Sequence, residues 1–538
     1  MSAPASERRL LWLRILVCHA ILLGALFGWL NGQTRAVPMH DLQVGSGERL
    51  HCVSYAPFHR PGQSPLKASS RVSREQIASD LAALSAITRC IRLYSVDQGL
   101  DQVPELAREA GLKVLLGSWV GYDQAANHAR LARAIELANS HPDVVEALIV
   151  GNEVLLRRER SEEELRALLR EARAHSKVPV SYADVWEFWL RHDSLASEVD
   201  FITVHILPFW EDDPVDIERA LTHVTEVRTR VGQHFSGKRI LIGETGWPSQ
   251  GRQRLESRPS PVNQARYVRE FVHLATARNW EYNLIEAIDQ PWKRKLEGTV
   301  GGHWGMLDAH TLTPKFPLAG VVRDRDGLGT AIIAAALGAA ITLLFAFSAV
   351  PRHSLRLAAL LLVGASGGLL ILLHWEHAHI AYRNALEWMV LGTVGTMAAL
   401  LAPALALWSG DGIPAASTAW RAARRAPLQV SAAHWLGALR AVLLFAAAVA
   451  ALLLFVDPRY RDFPTLLYLF PAAIFAASAS RLDRYGRAER VCATVLAVCV
   501  IARWLSEPTN PQAIAWLLTG FALALPALLI RPQQNEHG

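Results

Sequence analysis

The sequence predicts an α/β protein in which a (β/α)8 (TIM) barrel is joined to a multi-span α-helical membrane domain. Two observations lead to this fold class. The 538 residues are 51% hydrophobic and their mean hydropathy is +0.17, which is too apolar for a wholly soluble protein. Between residues 31 and 328, however, short apolar runs alternate with longer helical patterns, as they do in soluble α/β domains.

The first apolar run, from 11 to 30, is long enough to cross a bilayer and follows Arg8 and Arg9. A cleavable signal peptide is the alternative interpretation. The run is long for a signal peptide, and no clear small-x-small cleavage site follows it. We therefore expect residues 1–32 to form an uncleaved transmembrane anchor.

The central segment contains eight strand candidates separated by helical patterns. They begin near His51, Cys90, Val114, Ala147, Val178, Phe201, Ile240 and Tyr282. Eight such units favour a closed barrel over 45–320 rather than an open doubly wound sheet. Ser73 and Ser161 each precede a Gln or Glu by three residues, which is the capping-box spacing of a helix start.

Seven further apolar runs predict a membrane domain of about seven transmembrane helices over 327–532. The runs cover about 329–349, 356–374, 386–408, 436–456, 464–480, 490–506 and 513–530. The run at 490–506 is the weakest candidate, because Arg503 lies within it and its length barely reaches that of a span. Together with the amino-terminal run, the sequence predicts eight spans.

Arginine content alternates between successive loops, as the positive-inside rule requires. The loops that would share a side with the amino terminus contain Arg352 and Arg356, then Arg421, Arg424 and Arg425, and then Arg481, Arg484, Arg487 and Arg490. We therefore expect a cytoplasmic amino terminus and a central domain that faces outward.

Net charge does not indicate nucleic-acid binding. The whole chain carries +6, but residues 31–328 contain 37 basic and 39 acidic side chains. The basic excess therefore belongs to the apolar parts, where Arg in short loops orients helices. The nucleotide-binding patterns GxGxxG and GxxxxGK[ST] do not occur where a barrel would place them, and a nucleotide-sugar synthase would need a further domain that is also missing.

Five cysteines are too few and too scattered for a disulfide scaffold or a zinc cluster. Cys52 and Cys90 open two predicted neighbouring strands, so a disulfide between them is one interpretation. Two buried thiols is the interpretation that we prefer at this point.

Two glutamates end predicted strands. Glu153 ends the fourth strand and Glu244 ends the seventh, each directly or closely after a Gly. Catalytic groups of such barrels lie at the carboxyl ends of the strands, so both carboxylates should enter one cleft. A retaining glycosidase needs two carboxyl groups about 5–5.5 Å apart, one as acid/base and one as nucleophile. The alternative is two rim glutamates in unrelated ion pairs.

Three motifs resemble those of glycoside hydrolase family 17, the β-1,3-glucanase family. They are Gly151-Asn-Glu153, Gly243-Glu-Thr-Gly-Trp-Pro-Ser249 and Glu286-Ala-Ile-Asp-Gln-Pro-Trp-Lys293. The resemblance covers about 50–318 and implies that Glu153 is the acid/base, that Glu244 is the nucleophile and that Asn152 contacts the sugar 2-hydroxyl. It implies no cofactor and no metal.

Further strand-end side chains are expected to bind the sugar, because pyranose rings stack on aromatic faces and their hydroxyls need polar partners. The substrate-binding candidates are Tyr55, Arg92, Tyr94, Asn152, Tyr182, His205, Trp210, Trp247, Glu286, Trp292 and Lys293. For each tryptophan the alternative is a core position, and for the charged residues it is a structural ion pair.

Two departures from the plant and fungal hydrolases stand out. The sixth strand reads His205-Ile-Leu-Pro208, where those hydrolases usually carry Tyr before Pro, and Gln290 stands where Glu is common. Both features resemble the bacterial membrane-bound branch, which is associated with building or remodelling β-glucans. That resemblance implies an inner-membrane protein with a periplasmic catalytic domain.

The sequence therefore predicts a membrane-anchored retaining enzyme that cleaves β-1,3-glucan and transfers the glycosyl unit to a sugar acceptor. A predominantly hydrolytic glucanase is the alternative, and a non-catalytic glucan receptor is the third hypothesis. The expected partners are β-glucan, the lipid bilayer and glucan synthase or export machinery, with no nucleic acid.

Overall fold

The computed structural model describes residues 4–42, 49–348, 353–425, 430–483 and 485–529. The chain forms two compact units, one of residues 36–322 and one that combines residues 1–35 with 323–538. The predicted domains at 1–32, 45–320 and 327–532 stay predictions. Arg352 and Arg484, which the loop analysis used, lie outside the described residues.

The unit of residues 36–322 contains a closed barrel of eight parallel strands in chain order, which confirms the predicted fold class. The pair Val53 and Leu284 joins the first strand to the last and closes the barrel. The strands are β1 (Val53–Ser54), β2 (Cys90–Arg92), β3 (Lys113–Ser118), β4 (Val145–Asn152), β5 (Val180–Val185), β6 (Ile202–His205), β7 (Ile240–Thr245) and β8 (Glu281–Leu284).

Helices alternate with these strands. Those of this unit are α2 (Arg74–Ser85), α3 (Val103–Glu109), α4 (Gln124–Ser140), α5 (Glu162–His175), α6 (Trp186–Arg191), α7 (Ala220–His234), α8 (Pro261–Ala277) and α9 (Arg294–Gly301). Ser161 forms a complete capping box with Glu164. Ser73 accepts from the backbone of Gln76, whose side chain instead donates to the Pro57 carbonyl (2.6 Å), so only half of that box forms.

Alternation along the strands produces two buried layers. Val53, Ile91 and Leu116 pack in the large core that also contains the helix side chains. Leu115 and Leu241 belong to a second, smaller cluster formed by strand residues of the opposite face. The two layers hold the strand ends rigidly, which fixes the positions of the side chains that follow them.

Cys52 and Cys90 form a disulfide, with their Cα atoms 4.4 Å apart, so the preferred interpretation as two free thiols is wrong. The register explains the pairing. Val53 lies opposite Ile91, which places the preceding residues, Cys52 and Cys90, opposite each other. Both cysteines belong to the smaller barrel cluster.

The other unit is helical. Its helices are α1 (Ala5–Gln33), α10 (Gly329–Ser348), α11 (Ser354–Ala381), α12 (Ala385–Ala399), α13 (Leu401–Leu407), α14 (Ala416–Arg425), α15 (Ala432–Val456), α16 (Thr465–Ala477), α17 (Arg487–Ser506) and α18 (Pro511–Leu529). Small residues bring α10 and α11 close together, since a Cβ on Gly338 would lie 2.2 Å from the Gly364 carbonyl oxygen.

Within the described residues, six helical segments are long and apolar enough to cross a membrane. They are Ser6–Gln33, Gly329–Ser348, Ser354–Ala381, Ala385–Leu407, Ala432–Val456 and Pro511–Leu529. The other two predicted spans are helices that do not meet both requirements. Helix α16 has 13 residues, and α17 carries charged side chains at both ends, including Arg503. Length and composition thus support six of the eight expected spans.

Candidate active site

Glu153 follows β4 in a backbone conformation that few residues adopt. Its φ is +53°, and that of Gly151 is +80°. A Cβ on Gly151 would lie 2.7 Å from Val154, so only glycine fits there. The amide of Glu153 donates to the Ala183 carbonyl (2.7 Å), which holds this unusual turn against β5. Such local strain is typical of functional positions.

Glu244 lies within β7 on the opposite side of the barrel mouth. One carboxylate oxygen of Glu153, one of Glu244 and a ring nitrogen of His205 all lie within 4.8 Å of one another. Carboxyl groups about 5–5.5 Å apart are typical of retaining glycosidases, and about 6.5–9.5 Å of inverting ones. The observed proximity therefore favours the retaining arrangement.

Three side chains surround the Oε1 atom of Glu244. The Tyr94 hydroxyl donates to it (2.9 Å), Arg92 Nη1 lies 3.4 Å away and His205 Nε2 lies 3.5 Å away. The Glu244 side chain is only 6% exposed, so these groups replace most of its hydration. They fix the orientation of the carboxylate.

Arg92 ends β2 and is buried. Its guanidinium donates to the Gly243 carbonyl (2.7 Å) and to Asn152 Oδ1 (2.6 Å), in addition to approaching Glu244. The carboxyl ends of β2, β4 and β7 are thereby joined through one cation. Asn152, which was expected to contact the sugar, is thus oriented by a hydrogen bond to its carbonyl oxygen.

His205 ends β6 and lies between the two glutamates. Its Nδ1 is 2.8 Å from Glu153 Oε1, and its Nε2 is 3.2 Å from Arg92 Nη1. The ring therefore contacts Arg92 and both glutamates, and Nδ1 is the atom that can donate to Glu153.

The pKa of Glu153 reflects two opposing effects. Burial raises it, whereas the hydrogen bond from His205 and the nearby positive charges lower it more, so the pKa lies below that of an ordinary glutamate. Arg157 also donates to the Asn152 carbonyl, and its guanidinium lies 4.2 Å from the Trp119 ring centroid. Glu153 of the unliganded site is therefore a carboxylate at neutral pH.

Glu286 and Lys293 form a buried ion pair after β8, with Lys293 Nζ 2.9 Å from Glu286 Oε2. Burial raises the pKa of Glu286 to about 7, against the lowering effect of Lys293. The pair also interacts electrostatically with Glu244. The expected polar rim of β8 therefore belongs to the same electrostatic cluster as the two glutamates.

Trp210 and Trp292 are half-buried, so part of each ring remains accessible. Trp210 packs edge-on against Trp304, with centroids 5.9 Å apart, and stacks on Phe209. Trp292 Nε1 donates to Gln290 Oε1 (2.8 Å), which fixes its ring. These two rings are the best platforms for a sugar among the predicted candidates.

Three predicted substrate-binding residues are core residues instead. Trp247 is fully buried and donates from Nε1 to the Arg258 carbonyl (3.0 Å). Tyr55 is also buried, and its hydroxyl donates to the buried Asp80 (2.9 Å). Large aromatic side chains at strand ends can turn back between strands and helices, and their polar atoms then find internal partners.

Tyr182 is the third of these core residues, and it supports the turn that carries Glu153. Its hydroxyl donates to Asp184 and accepts from the Leu155 amide (3.1 Å). Burial, followed by the negative charge of Glu153, raises the pKa of Asp184 to about 6. Tyr182 and Asp184 therefore position the turn that carries Glu153.

Two residues that position Tyr94 were not among the candidates predicted from the sequence. Asn283 Nδ2 donates to both Ser54 Oγ and the Gly243 carbonyl, each at 2.7 Å, and Ser54 Oγ lies 2.7 Å from the Tyr94 hydroxyl. These hydrogen bonds orient the Tyr94 hydroxyl toward Glu244. The sequence signal for them is weak, because β1 has only two residues and β8 also contains Glu281.

A metal ion is chemically disfavoured at this site. Glu153, His205 and Glu244 are close enough to offer three ligand atoms to a cation. However, the Arg92 guanidinium lies 3.2 Å from His205 Nε2 and would repel it. The Nδ1 atom of His205 is already engaged with Glu153. The absence of a metal stays a prediction.

Residues 52–305 match the sequence model of the BtgE/BtgC glycoside hydrolase domain. The matched segment contains both glutamates and all three motifs. The match confirms the predicted resemblance of this barrel to glycoside hydrolase family 17. This family 17-like domain is the part of the chain that the comparisons concern, and the bacterial branch stays a prediction.

The putative glucan endo-1,3-β-glucosidase btgC of Aspergillus niger is 27% identical over 298 residues, or 49% of this chain and 42% of that protein. The glucan 1,3-β-glucosidase of Arthroderma benhamiae is 28% identical over 256 residues, or 44% of this chain and 82% of that protein. This chain thus spans less than half the length of the first of these relatives.

Among solved structures, an active-site mutant of Rhizomucor miehei β-1,3-glucanosyltransferase in complex with laminaritriose is similar to the family 17-like domain. Its TM-score is 0.44 at 22% identity, and the match covers 51% of this chain and 98% of that one.

Asp184 should make stability depend on pH. Because its pKa is raised to about 6 in the folded protein, its contribution to stability is present below about pH 4 and is lost as pH rises through 6. Asp184→Asn, which stays neutral, should therefore gain on the order of 3 kcal/mol relative to wild type between pH 4 and pH 8. Thermal unfolding midpoints of both proteins at the two pH values test this. A parallel change in both proteins would contradict the assignment.

Proposed function

We propose that this protein is a membrane-anchored retaining enzyme that cleaves β-1,3-linked glucan and transfers the released glycosyl unit to a sugar acceptor. The observation that carries the proposal is the pair Glu153 and Glu244, held within 4.8 Å at the mouth of a family 17-like barrel. The names of the relatives, which are glucan 1,3-β-glucosidases and a β-1,3-glucanosyltransferase, support this substrate class.

In the first step, Glu153 donates a proton to the glycosidic oxygen while Glu244 attacks the anomeric carbon. The carbon–oxygen bond to the leaving sugar breaks, and an ester to Glu244 forms. Tyr94 and Arg92 hold the attacking carboxylate, since both contact its Oε1 atom. Asn152 is placed next to the acid/base to receive the sugar 2-hydroxyl.

In the second step, the Glu153 carboxylate removes a proton from an incoming hydroxyl, which attacks the anomeric carbon and releases Glu244. The lowered pKa of Glu153 favours this base form. Before the first step, the Glu153 carboxylate must take up a proton, because it acts as the acid in that step. Acidic conditions therefore favour cleavage, and His205, as a donor to Glu153, stabilises the carboxylate between the two steps.

A sugar hydroxyl and water differ only as acceptors in the second step. Transfer is our leading interpretation because an anchor of several helices suits glucan assembly at a membrane better than digestion of a polymer. Predominant hydrolysis is the alternative. A receptor without catalysis would not need the two carboxylates, and the intact pair argues against it.

We further propose that the helical unit lies in the inner membrane and that the barrel is outside the cytoplasm. Six helical segments of sufficient length and apolarity support the first statement. The Arg-rich loops and the disulfide between Cys52 and Cys90 support the second, since disulfides persist in oxidising compartments. Glucan would then reach the site after export, and synthase or export machinery is the expected partner.

Product analysis separates transfer from hydrolysis. The purified full chain, incubated with single β-1,3-gluco-oligosaccharides, should yield products longer than the substrate, because a bound sugar hydroxyl competes with water for the ester on Glu244. Mass spectrometry and linkage analysis identify these products. Exclusively shorter products would contradict transfer and leave a hydrolase.

The two glutamates should fail differently when substituted. Glu244→Gln removes the nucleophile and should abolish turnover of every substrate. Glu153→Gln removes the proton donor, so an aryl β-glucoside with a good leaving group should still release its phenol in a burst. Rapid-mixing absorbance records that burst.

Glu146→Gln is the matched control, because Glu146 lies on β4 with an exposed side chain. It should behave as wild type. Turnover close to wild type in Glu244→Gln would refute the assigned roles.

Membrane orientation can be measured with a reporter enzyme that is active only outside the cytoplasm. Fused after Leu318, it should be active, and fused after Asp483, it should be silent. The reverse result would place the barrel beside cytoplasmic nucleotide sugars and would contradict the proposed action on exported glucan.

A further inference from the structure

A cavity of about 400 Å³ lies within the helical unit, apart from the barrel. Helices α11, α12 and α16 form its walls. Glycines at positions 367, 392 and 395 belong to its lining. A Cβ on Gly392 would meet no atom within 4 Å, so this glycine faces open space.

The wall of the cavity is largely apolar, and the two hydroxyl groups on it have partners inside the protein. The Tyr382 hydroxyl lies 3.0 Å from His374 Nε2, and the Thr396 hydroxyl donates to the Gly392 carbonyl (2.9 Å). A buried water needs two to four polar partners, so this space is poorly suited to water and suits an apolar ligand.

The two ends of the cavity differ. At one end lie Trp375, Tyr382 and Trp388, with neighbouring ring centroids 5.2–5.6 Å apart. The ion pair of Arg383 and Glu387 lies in the same stretch of chain. Aromatic rings beside charged groups are typical of the membrane–water interface.

At the other end the cavity is lined by Gly367, Ala398 and Phe470. Gly367 precedes Trp375 by eight residues on α11, which corresponds to about 12 Å along a helix. The cavity therefore extends from an end that resembles the membrane interface to an apolar end. This distance is close to the hydrocarbon thickness of one leaflet.

One side of the cavity opens at the surface of α11. Ile371 and Trp375 both line the cavity and are 50% and 56% exposed. In the proposed membrane location this surface faces lipid hydrocarbon. The molecules that can enter from that side are membrane lipids.

We infer that this cavity binds one acyl chain of a membrane phospholipid, with the head group at the end formed by Trp375, Tyr382 and Trp388. The inference rests on the membrane location proposed above. A fixed acyl chain would fill the space between α11, α12 and α16 and would stabilise their packing, since an empty apolar cavity forfeits dispersion contacts.

Photolabelling of the full chain in phospholipid vesicles tests the inference. The probe is a phosphatidylcholine with a diazirine on one acyl chain, and peptide mass spectrometry maps the adducts. Leu370 and Leu467 line the cavity but are only 3% and 6% exposed, so bulk lipid does not reach them. Leu361 and Leu452, which are 43% and 47% exposed, report contact with bulk lipid.

We expect adducts on both pairs in the wild type. Gly392→Leu, which fills the cavity, should abolish the adducts on Leu370 and Leu467 and keep those on Leu361 and Leu452. Gly24→Leu is the matched control, because Gly24 also lies in an apolar helix and its Cβ would meet no atom within 4 Å. It should label as wild type does.

Three results would overturn the inference. Wild-type adducts on Leu361 and Leu452 alone would refute lipid in the cavity and leave the membrane location intact. Adducts on none of the four leucines would refute the membrane location itself. Unchanged adducts on Leu370 and Leu467 in Gly392→Leu would show that lipid reaches them by another route. If Gly392→Leu does not elute as a single species, Ala399→Leu, which fills the cavity from the same helix, replaces it.

Discussion

Two carboxylates within 4.8 Å repel each other strongly in a cleft that excludes most water, and the buried guanidinium of Arg92 offsets this repulsion. The same guanidinium donates to the Gly243 carbonyl and to Asn152 while it contacts Glu244 and His205. It thereby joins the ends of four strands. The contact with Arg92 also helps to orient the His205 ring, whose Nδ1 lies 2.8 Å from Glu153 Oε1.

The strand ends explain why much of the site could be predicted. A parallel barrel sends the residues that follow its strands into one mouth, so Glu153 and Glu244 could be grouped from apolar runs and their endings. The fold class follows from the same alternation, because a strand register and a helix face each leave a clear period in the sequence.

Other features depend on details that no local pattern records. The disulfide between Cys52 and Cys90 depends on the register of β1 against β2, which a two-residue strand does not reveal. Trp247 and Tyr55 follow strands, which is where sugar-binding residues are expected. Their rings are nevertheless buried in the core. Whether α16 and α17 cross a membrane cannot be read from hydropathy, since one is short and the other carries charges that the helical bundle pairs internally, such as Glu489 with Arg440.

The central claim is that Glu153 and Glu244 act as a retaining pair. Proton NMR of the product that carries the newly formed anomeric centre, which leaves Glu244 in the second step, tests it most directly, if spectra are recorded before mutarotation. The account predicts a new reducing end, or a new linkage, in the β configuration, because two displacements at the anomeric carbon restore it. A product formed first in the α configuration would contradict the account.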